Sequence, residues 1–197
     1  MYYLTHGDGW WQVKDSYYLL LRKNGCSSIL QNFSPHRINE SKNPDFPKWT
    51  IIRDPMKRFI SGLAYDMEQI GLDKAKKLEN FFIKNPQSLV HGNYHAYQLL
   101  RGFGAHTYMQ SFTLINKSVN YVVKLEELTS FIEIHNDGVY DNRGQNPSSK
   151  EANEYANFLV SKMNQSDLEN LFYVENKIYH DILNSELLWK WQYGNIF

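Results

Sequence analysis

The residues that decide the fold are YYLLLRKNGCSS, at positions 17–28. The five apolar residues at 17–21 form a run that is typical of a buried strand. The Asn-Gly pair at 24–25 is a turn signal, and Ser27 or Ser28 is placed to cap a following helix. The segment therefore predicts a strand, a tight loop and a helix in direct succession.

The predicted loop has the chemistry of a phosphate-binding site. Backbone N–H groups at a helix start bind anions, and Gly25 permits a tight turn. Lys23 adds a positive charge, and the two serines add hydroxyl donors. The lysine precedes the glycine, whereas the Walker A pattern ends in Gly-Lys-Ser/Thr. The alternative interpretation is an ordinary strand–turn–helix connection with a surface lysine.

A second strand followed by a helix is predicted at residues 49–67. Residues 49–52 are rich in β-forming side chains, Asp54 is placed to cap a helix, and Pro55 suits its first position. Arg53 ends the strand, where α/β proteins bind ligands, and Ser61 lies opposite the apolar stripe of the helix. The alternative interpretation is a capped helix with solvated charges.

The rest of the chain alternates between helical and strand-like patterns. Residues 32–48 read as a loop, 73–84 and 87–101 as helices, and 121–125 as a third strand. Capping boxes predict two further helix starts, at Ser148 with Glu151 and at Ser166 with Glu169. The alternation and the fully apolar strands predict an α/β fold around a parallel sheet, as one domain over 1–197 with a core at about 17–182.

Composition excludes several classes of protein. The 21 Lys and Arg residues balance 21 Asp and Glu, so a broad surface for nucleic acid or anionic membrane is not expected. Cys26 is the single cysteine, which excludes an intrachain disulfide and fits a reducing compartment. Apolar runs are too short for a bilayer span, and the first residues lack signal-peptide features. We expect a soluble, cytoplasmic protein.

Taken together, residues 22–28 and 53–61 resemble the two cofactor signatures of sulfotransferases that use 3′-phosphoadenosine 5′-phosphosulfate (PAPS). The likeness is to the carbohydrate sulfotransferase branch. Its first loop, Pro-Lys-x-Gly-Ser/Cys-Thr/Ser-Ser, binds the 5′-phosphosulfate, and the chain departs from it only at Arg22. Its second motif, Arg-Asp/His-Pro-x-x-Arg-x-x-Ser, is matched throughout.

Weaker similarity to this family occurs at 95–98, 123–128 and 171–179. The resemblance thus covers most of residues 17–182. It implies a P-loop-like three-layer fold, with a central parallel sheet flanked by helices.

The resemblance also implies a set of site residues. Arg53 and Ser61 would hold the 3′-phosphate, while Lys23 would stabilise the departing nucleotide. Cys26 is interpreted as a packing residue, since the family has Ser or Cys at that position. The residues expected to bind PAPS, with Arg143 added from a late polar loop, are Arg22, Lys23, Asn24, Gly25, Cys26, Ser27, Ser28, Arg53, Ser61 and Arg143.

Sulfuryl transfer needs a base for the acceptor hydroxyl, and three residues are candidates. His36 and Glu40 lie between the two motifs, where the family often has its base, and His36 is favoured. His95 is the alternative, from the weaker downstream match. Each histidine could instead be a surface or structural residue. No cluster of His, Cys and Asp residues has metal-ligand spacing. We expect no metal, because this chemistry does not require one.

The sequence therefore predicts an enzyme that moves a sulfuryl group from PAPS to an acceptor hydroxyl. A sugar is the favoured acceptor, while tyrosine hydroxyls and small metabolites stay open. Two alternatives remain: a nucleotide or small-molecule kinase with an atypical P-loop, and a non-catalytic nucleotide-binding protein. The short gap between the motifs, residues 29–52, leaves little room for an acceptor-binding segment.

Overall fold

A five-stranded mixed sheet forms the centre of the structure, which is a computed structural model. The structure describes residues 9–21, 23–38, 43–90, 110, 114, 118–141 and 148–189. The strands are β1 (Gly9–Val13), β2 (Ser16–Leu20), β3 (His36–Ile38), β4 (Lys48–Ile52) and β5 (Tyr121–Lys124). Their order across the sheet is β3-β1-β2-β4-β5.

The sheet combines parallel and antiparallel pairs. β2, β4 and β5 are parallel neighbours, as the sequence predicted for these three apolar runs. β1 pairs antiparallel with β2 on one side and with β3 on the other. The prediction of a purely parallel sheet is therefore wrong, and the α/β class is confirmed.

The sequence failed to predict β1 and β3 because neither carries a usual signal. β1 joins β2 through a two-residue turn at Lys14 and Asp15, where Lys14 adopts the left-handed φ of 46°. Hairpin turns of this length are usually marked by Asn-Gly or Asp-Gly, which are absent here. β3 has only three residues and lies within the segment predicted to be a loop.

Eight α-helices are described. They are α1 (Cys26–Phe33), α2 (Pro55–Ile70), α3 (Leu72–Lys77), α4 (Glu79–Lys84), α5 (Gln87–Val90), α6 (Leu128–His135), α7 (Lys150–Lys162) and α8 (Gln165–Leu183). A 3₁₀ turn at Leu125–Glu127 leads into α6. The helix predicted over 87–101 is described only as far as α5.

Helix starts follow the sequence closely at α2 and less closely elsewhere. The Asp54 side chain accepts a hydrogen bond from the Lys57 N–H at 2.8 Å, and Pro55 is the first helical residue. The predicted capping boxes are displaced: Ser149 caps α7 and Asn164 caps α8. A neighbouring polar side chain competes for the same cap, and the backbone entering the helix decides between them.

Buried side chains cover the sheet and join the helices. On one sheet face, Tyr18, Leu20, Ile51 and Val123 pack with residues of α1 and α6. A separate cluster is formed by side chains of α2, α7 and α8 with those of the short helices. Among the described residues, no helix combines the length and apolar character that a bilayer span requires.

Gly25 lies at a position where a larger residue would have to displace two leucine side chains. Its φ is 77°, and a Cβ built there would overlap Leu128 Cδ2 and lie 2.9 Å from Leu125 Cδ1. The loop after β2 therefore packs directly on the segment that follows β5. Gly138 has a φ of 78°, but no heavy atom lies within 4 Å of the corresponding Cβ.

We predict that Gly25→Ala lowers the free energy of unfolding by about 2–4 kcal/mol, whereas Gly138→Ala costs about 1 kcal/mol. Both variants incur the left-handed backbone cost, and only the first overpacks a core. Denaturant unfolding at equilibrium measures both. Equal losses would show that Leu125 and Leu128 move aside without cost.

Candidate functional site

Both predicted anion-binding segments lie at the same edge of the sheet. β2 and β4 are parallel neighbours, with Leu19 level with Thr50. Their carboxyl ends therefore meet, and the loop at 23–25 and Arg53 follow directly from them. Ligands of open α/β sheets bind at this kind of edge.

The loop after β2 turns through two left-handed residues. Lys23 has a φ of 63° and Gly25 a φ of 77°. Gly25 is the N-cap of α1, and no side chain caps this helix. The predicted cap at Ser27 or Ser28 is therefore wrong, because the chain enters the helix earlier. A helix start without a side-chain cap presents backbone N–H groups to a ligand.

The three residues after the turn differ in exposure. Ser27 is exposed, whereas Ser28 is buried with 7% of its surface accessible. Cys26 is partly buried and packs against the cluster that contains Ile29 and Leu128. Its environment is therefore that of a packing residue.

The Asn24 side chain is committed to the protein interior. It is fully buried, and its Nδ2 donates to the Ile51 carbonyl and to Gln110 Oε1, both at 2.8 Å. Its backbone N–H donates to the Leu21 carbonyl at 3.2 Å, so the donors of this residue are used within the protein. Its side chain holds the loop to the end of β4.

The second segment lines an open cleft of about 350 Å³. Arg53 and the α2 residues Lys57, Ile60 and Ser61 form one wall. Ser148, which precedes α7, and two asparagines one turn apart on that helix, Asn153 and Asn157, form the other. Two cations and several neutral donors line this space, and no carboxylate is among the lining residues that the structure describes, while Glu126 lies beside the cleft with Oε1 3.9 Å from the Lys57 ammonium. The cleft is therefore suited to an anion.

Lys57, Ser61 and Tyr65 form one row along α2, since residues four apart share a helix face. Lys57 is exposed, while Ser61 and Tyr65 are partly buried. Arg58 instead is buried, with 4% of its surface accessible.

Arg53 connects the cleft with the loop. Its Nη1 donates to the Lys23 carbonyl at 3.3 Å. Burial lowers the pKa of Arg53, while Glu126 and Asp54 act in the opposite direction. A guanidinium that has lost part of its hydration interacts more strongly with an incoming anion.

The Lys23 ammonium lies over the ring of Tyr65, with Nζ 3.9 Å from the ring centroid. Burial lowers the pKa of Lys23 to about 8. Asp66, Cys26 and Glu68 oppose this shift, and Arg53 adds to it. The ring face attracts the ammonium where water has been removed.

His36 lies away from the loop. It is exposed on β3 and pairs with Gln12, which in turn pairs with Tyr17. Tyr17 precedes the end of β2 at Leu20 by three residues, or about 10 Å of strand. The register therefore does not bring His36 to the loop.

Four predicted site residues lie outside the described residues: Arg22, Glu40, His95 and Arg143. The main residue that sequence reasoning missed is Gln110. Its side-chain amide accepts a buried hydrogen bond from the Asn24 amide, beneath the loop. No local pattern marks it, because its partners are distant in sequence. Within the described part of the chain, no group of three His, Cys, Asp or Glu side chains is arranged to hold a metal.

No protein-family model matches the chain, and no curated protein or solved structure shows significant similarity to it. The candidate site is therefore defined by the geometry described above and by the two sequence motifs.

We predict that Lys23 titrates in the folded protein with a midpoint near pH 8. Its folded pKa lies below the usual 10.5, so the unfolded chain holds this proton at higher pH. Lys23 therefore adds stability as the pH rises from about 8 to about 10.5. Competitive acetylation followed by peptide mass spectrometry measures the midpoint.

The same lysine in denaturant is the control, and its midpoint should return to the usual value. Wild type should also gain stability relative to Lys23→Met over this pH range, since methionine cannot titrate. Identical midpoints in the folded and denatured chains would contradict the burial of the ammonium.

Proposed function

We propose that this protein is a PAPS-dependent sulfotransferase that transfers a sulfuryl group to an acceptor hydroxyl. One observation carries the proposal. The two segments that resemble the family's 5′-phosphosulfate and 3′-phosphate sites end adjacent parallel strands and meet through the bond from Arg53 to the Lys23 carbonyl. In this proposal, the two segments, 30 residues apart in sequence, contact two ends of one nucleotide.

The cleft beside Arg53 and Ser61 is the proposed site of the 3′-phosphate. Arg53 offers a forked set of donors, and Ser61 offers a hydroxyl from two turns into α2. Lys57 lines the same cleft and adds a second positive charge. An exposed lysine contributes less than the half-buried arginine, because water screens its charge.

The loop at 23–28 is the proposed site of the 5′-phosphosulfate. The uncapped start of α1 and the left-handed turn supply backbone donors, in the way that anion-binding loops do. Lys23 belongs to this loop and adds its positive charge to the proposed site. The approach of a phosphosulfate raises the pKa of this lysine, because an anion favours its charged form.

The transfer breaks the bond between sulfur and the bridging oxygen of PAPS and forms one between sulfur and the acceptor oxygen. The acceptor proton passes to a base, and 3′,5′-phosphoadenosine leaves. Lys23 stabilises the charge that develops on the bridging oxygen. Alignment and charge stabilisation dominate such transfers, by analogy with phosphoryl transfer.

The base that accepts the acceptor proton is proposed to be His36, Glu40 or His95. The strand register helps to rank these three residues. β3 runs parallel to β2, so its last residue, Ile38, is the one nearest the loop edge. Glu40 follows it by two residues in the sequence. We therefore rank Glu40 and His95 ahead of His36.

The remaining parts of the proposal follow from the family resemblance and composition. The mixed α/β sheet is taken as a variant of the P-loop-like three-layer fold. The acceptor is a hydroxyl group, with a sugar favoured. The single cysteine, Cys26, fits a cytoplasmic location.

We predict that 3′,5′-phosphoadenosine binds more tightly than 5′-AMP, and that Arg53→Ala removes this preference. A charged hydrogen bond lost from a phosphate costs roughly ten- to a hundredfold in affinity, and Ser61→Ala costs about two- to tenfold. Calorimetric titration of both nucleotides measures the ratio. Lys57→Ala is the comparison, since it removes an equal charge from an exposed side chain in the same cleft, and it should lower the preference less than Arg53→Ala does.

Equal affinities of the wild type for the two nucleotides would exclude the proposed 3′-phosphate site. A stronger response to ATP with Mg²⁺ would favour a kinase. Nucleotide binding without sulfuryl transfer to any of a set of sugar, tyrosine and small-molecule acceptors would favour a non-catalytic binder.

We predict that His36→Ala keeps turnover within about threefold of the wild type, whereas Glu40→Gln or His95→Ala lowers it by about a hundredfold or more. Each variant should bind 3′,5′-phosphoadenosine normally. Rates of sulfuryl transfer measured from pH 5 to 9 check both points. Loss of the rate and of its acid limb in His36→Ala alone would restore His36 as the base.

A further inference from the structure

A buried glutamine joins the two anion-binding segments from below. Gln110 is 3% exposed, and its side chain contacts both of them. Its Oε1 accepts from Asn24 Nδ2 at 2.8 Å and from the Arg53 N–H at 3.3 Å. Its Nε2 donates to the Arg53 carbonyl at 2.8 Å.

The amide of Gln110 takes the place of a strand neighbour for Arg53. β4 ends at Ile52, so Arg53 is the first residue beyond the ladder. The Gln110 amide hydrogen-bonds both the backbone N–H and the C=O of Arg53, as a paired strand would. This fixes the backbone of Arg53 and with it the direction in which its side chain leaves the sheet.

The three bonds determine the residue type and its orientation. Two donors face Oε1 and one acceptor faces Nε2. A flipped amide would place its NH₂ against the two donors and its oxygen against the acceptor. A carboxylate lacks the donor, and an apolar side chain lacks both groups. The bonds are also buried, where an unmet partner is costly.

Gln110 is itself anchored to α8. Its backbone N–H donates to Glu175 Oε1 at 2.8 Å, and Glu175 is a buried residue of α8. The amide therefore has a fixed position from which to hold the loop and the strand end together. Asn24 adds the direct bond to the Ile51 carbonyl on the β4 side.

We propose that Gln110 is a positioning residue that sets the spacing between the loop at 23–25 and Arg53, and thereby the selectivity of the site for a nucleotide with a 3′-phosphate. The selectivity part rests on the proposed function. The positioning part concerns the protein alone and has its own measurement.

The test uses Gln110→Met and Gln110→Glu in the full chain. Methionine keeps the approximate shape and removes all three side-chain bonds, whereas glutamate keeps the acceptor and loses the donor to the Arg53 carbonyl. The probes are 3′,5′-phosphoadenosine and 5′-AMP, and the ratio of their affinities is the readout. We expect this ratio to fall by about tenfold or more in both variants, the loss that one charged phosphate contact represents.

Gln110→Glu provides a rescue that a general loss of stability would not show. Protonation of the introduced carboxyl restores a donor toward the Arg53 carbonyl. The affinity ratio of this variant, taken relative to wild type at each pH, should therefore recover as the pH falls from 8 to 5. Gln12→Glu is the matched control, because the partly buried Gln12 on β1 makes a solvent-exposed side-chain bond, to the Lys14 carbonyl.

Acetylation of Lys23 provides the measurement that needs no nucleotide. If Gln110 holds the loop in place, its replacement should move the Lys23 titration midpoint upward, toward that of the denatured chain. Folded variants with an unchanged midpoint and an unchanged affinity ratio would overturn the inference.

If wild type shows no preference for the 3′-phosphate, the proposed function fails, and the Lys23 midpoint alone decides the role of Gln110. If Gln110→Met does not fold, Gln110→Glu decides it by the same two readouts.

Discussion

The parallel pairing of β2 with β4 is the constraint on which the rest of the structure depends. It brings the loop after β2 and Arg53 after β4 to one edge of the sheet. Chain that leaves a sheet also leaves its hydrogen-bonding ladder, so its polar groups need other partners. The buried amides of Asn24 and Gln110 supply them, and they turn two separate strand ends into one site.

Two partly buried cations lie at this edge of the sheet, in a chain whose formal charges cancel. Burial lowers the pKa of both Lys23 and Arg53, and the two cations are joined through a backbone carbonyl. Placing cations where hydration is reduced opposes folding unless something compensates. The Tyr65 ring supplies part of that compensation for Lys23. Perturbed cations in a cleft are typical of functional sites, since a bound anion relieves the cost.

Local signals predicted the elements that carry the site. The apolar runs became β2, β4 and β5, and Asp54-Pro55 starts α2 as expected, because a cap and a proline act within one helical turn. The hairpin of β1 was not predictable from its turn, and the caps of α7 and α8 lie one or two residues from the expected serines. In those places several local choices are close in energy, and packing decides between them.

The sequence by itself determined which residue types follow the strands: a lysine and a glycine after β2, an arginine after β4, and a serine on the α2 row that begins with Lys57. These depend on order along the chain, which the sequence states directly. Only the tertiary structure decided that Asn24 points inward, that His36 lies away from the loop, and that Gln110 bridges the two segments. Gln110 lies 86 residues from Asn24 and 57 from Arg53. Contacts over such separations arise from how the strands and helices pack, and no periodicity or spacing within one segment encodes them.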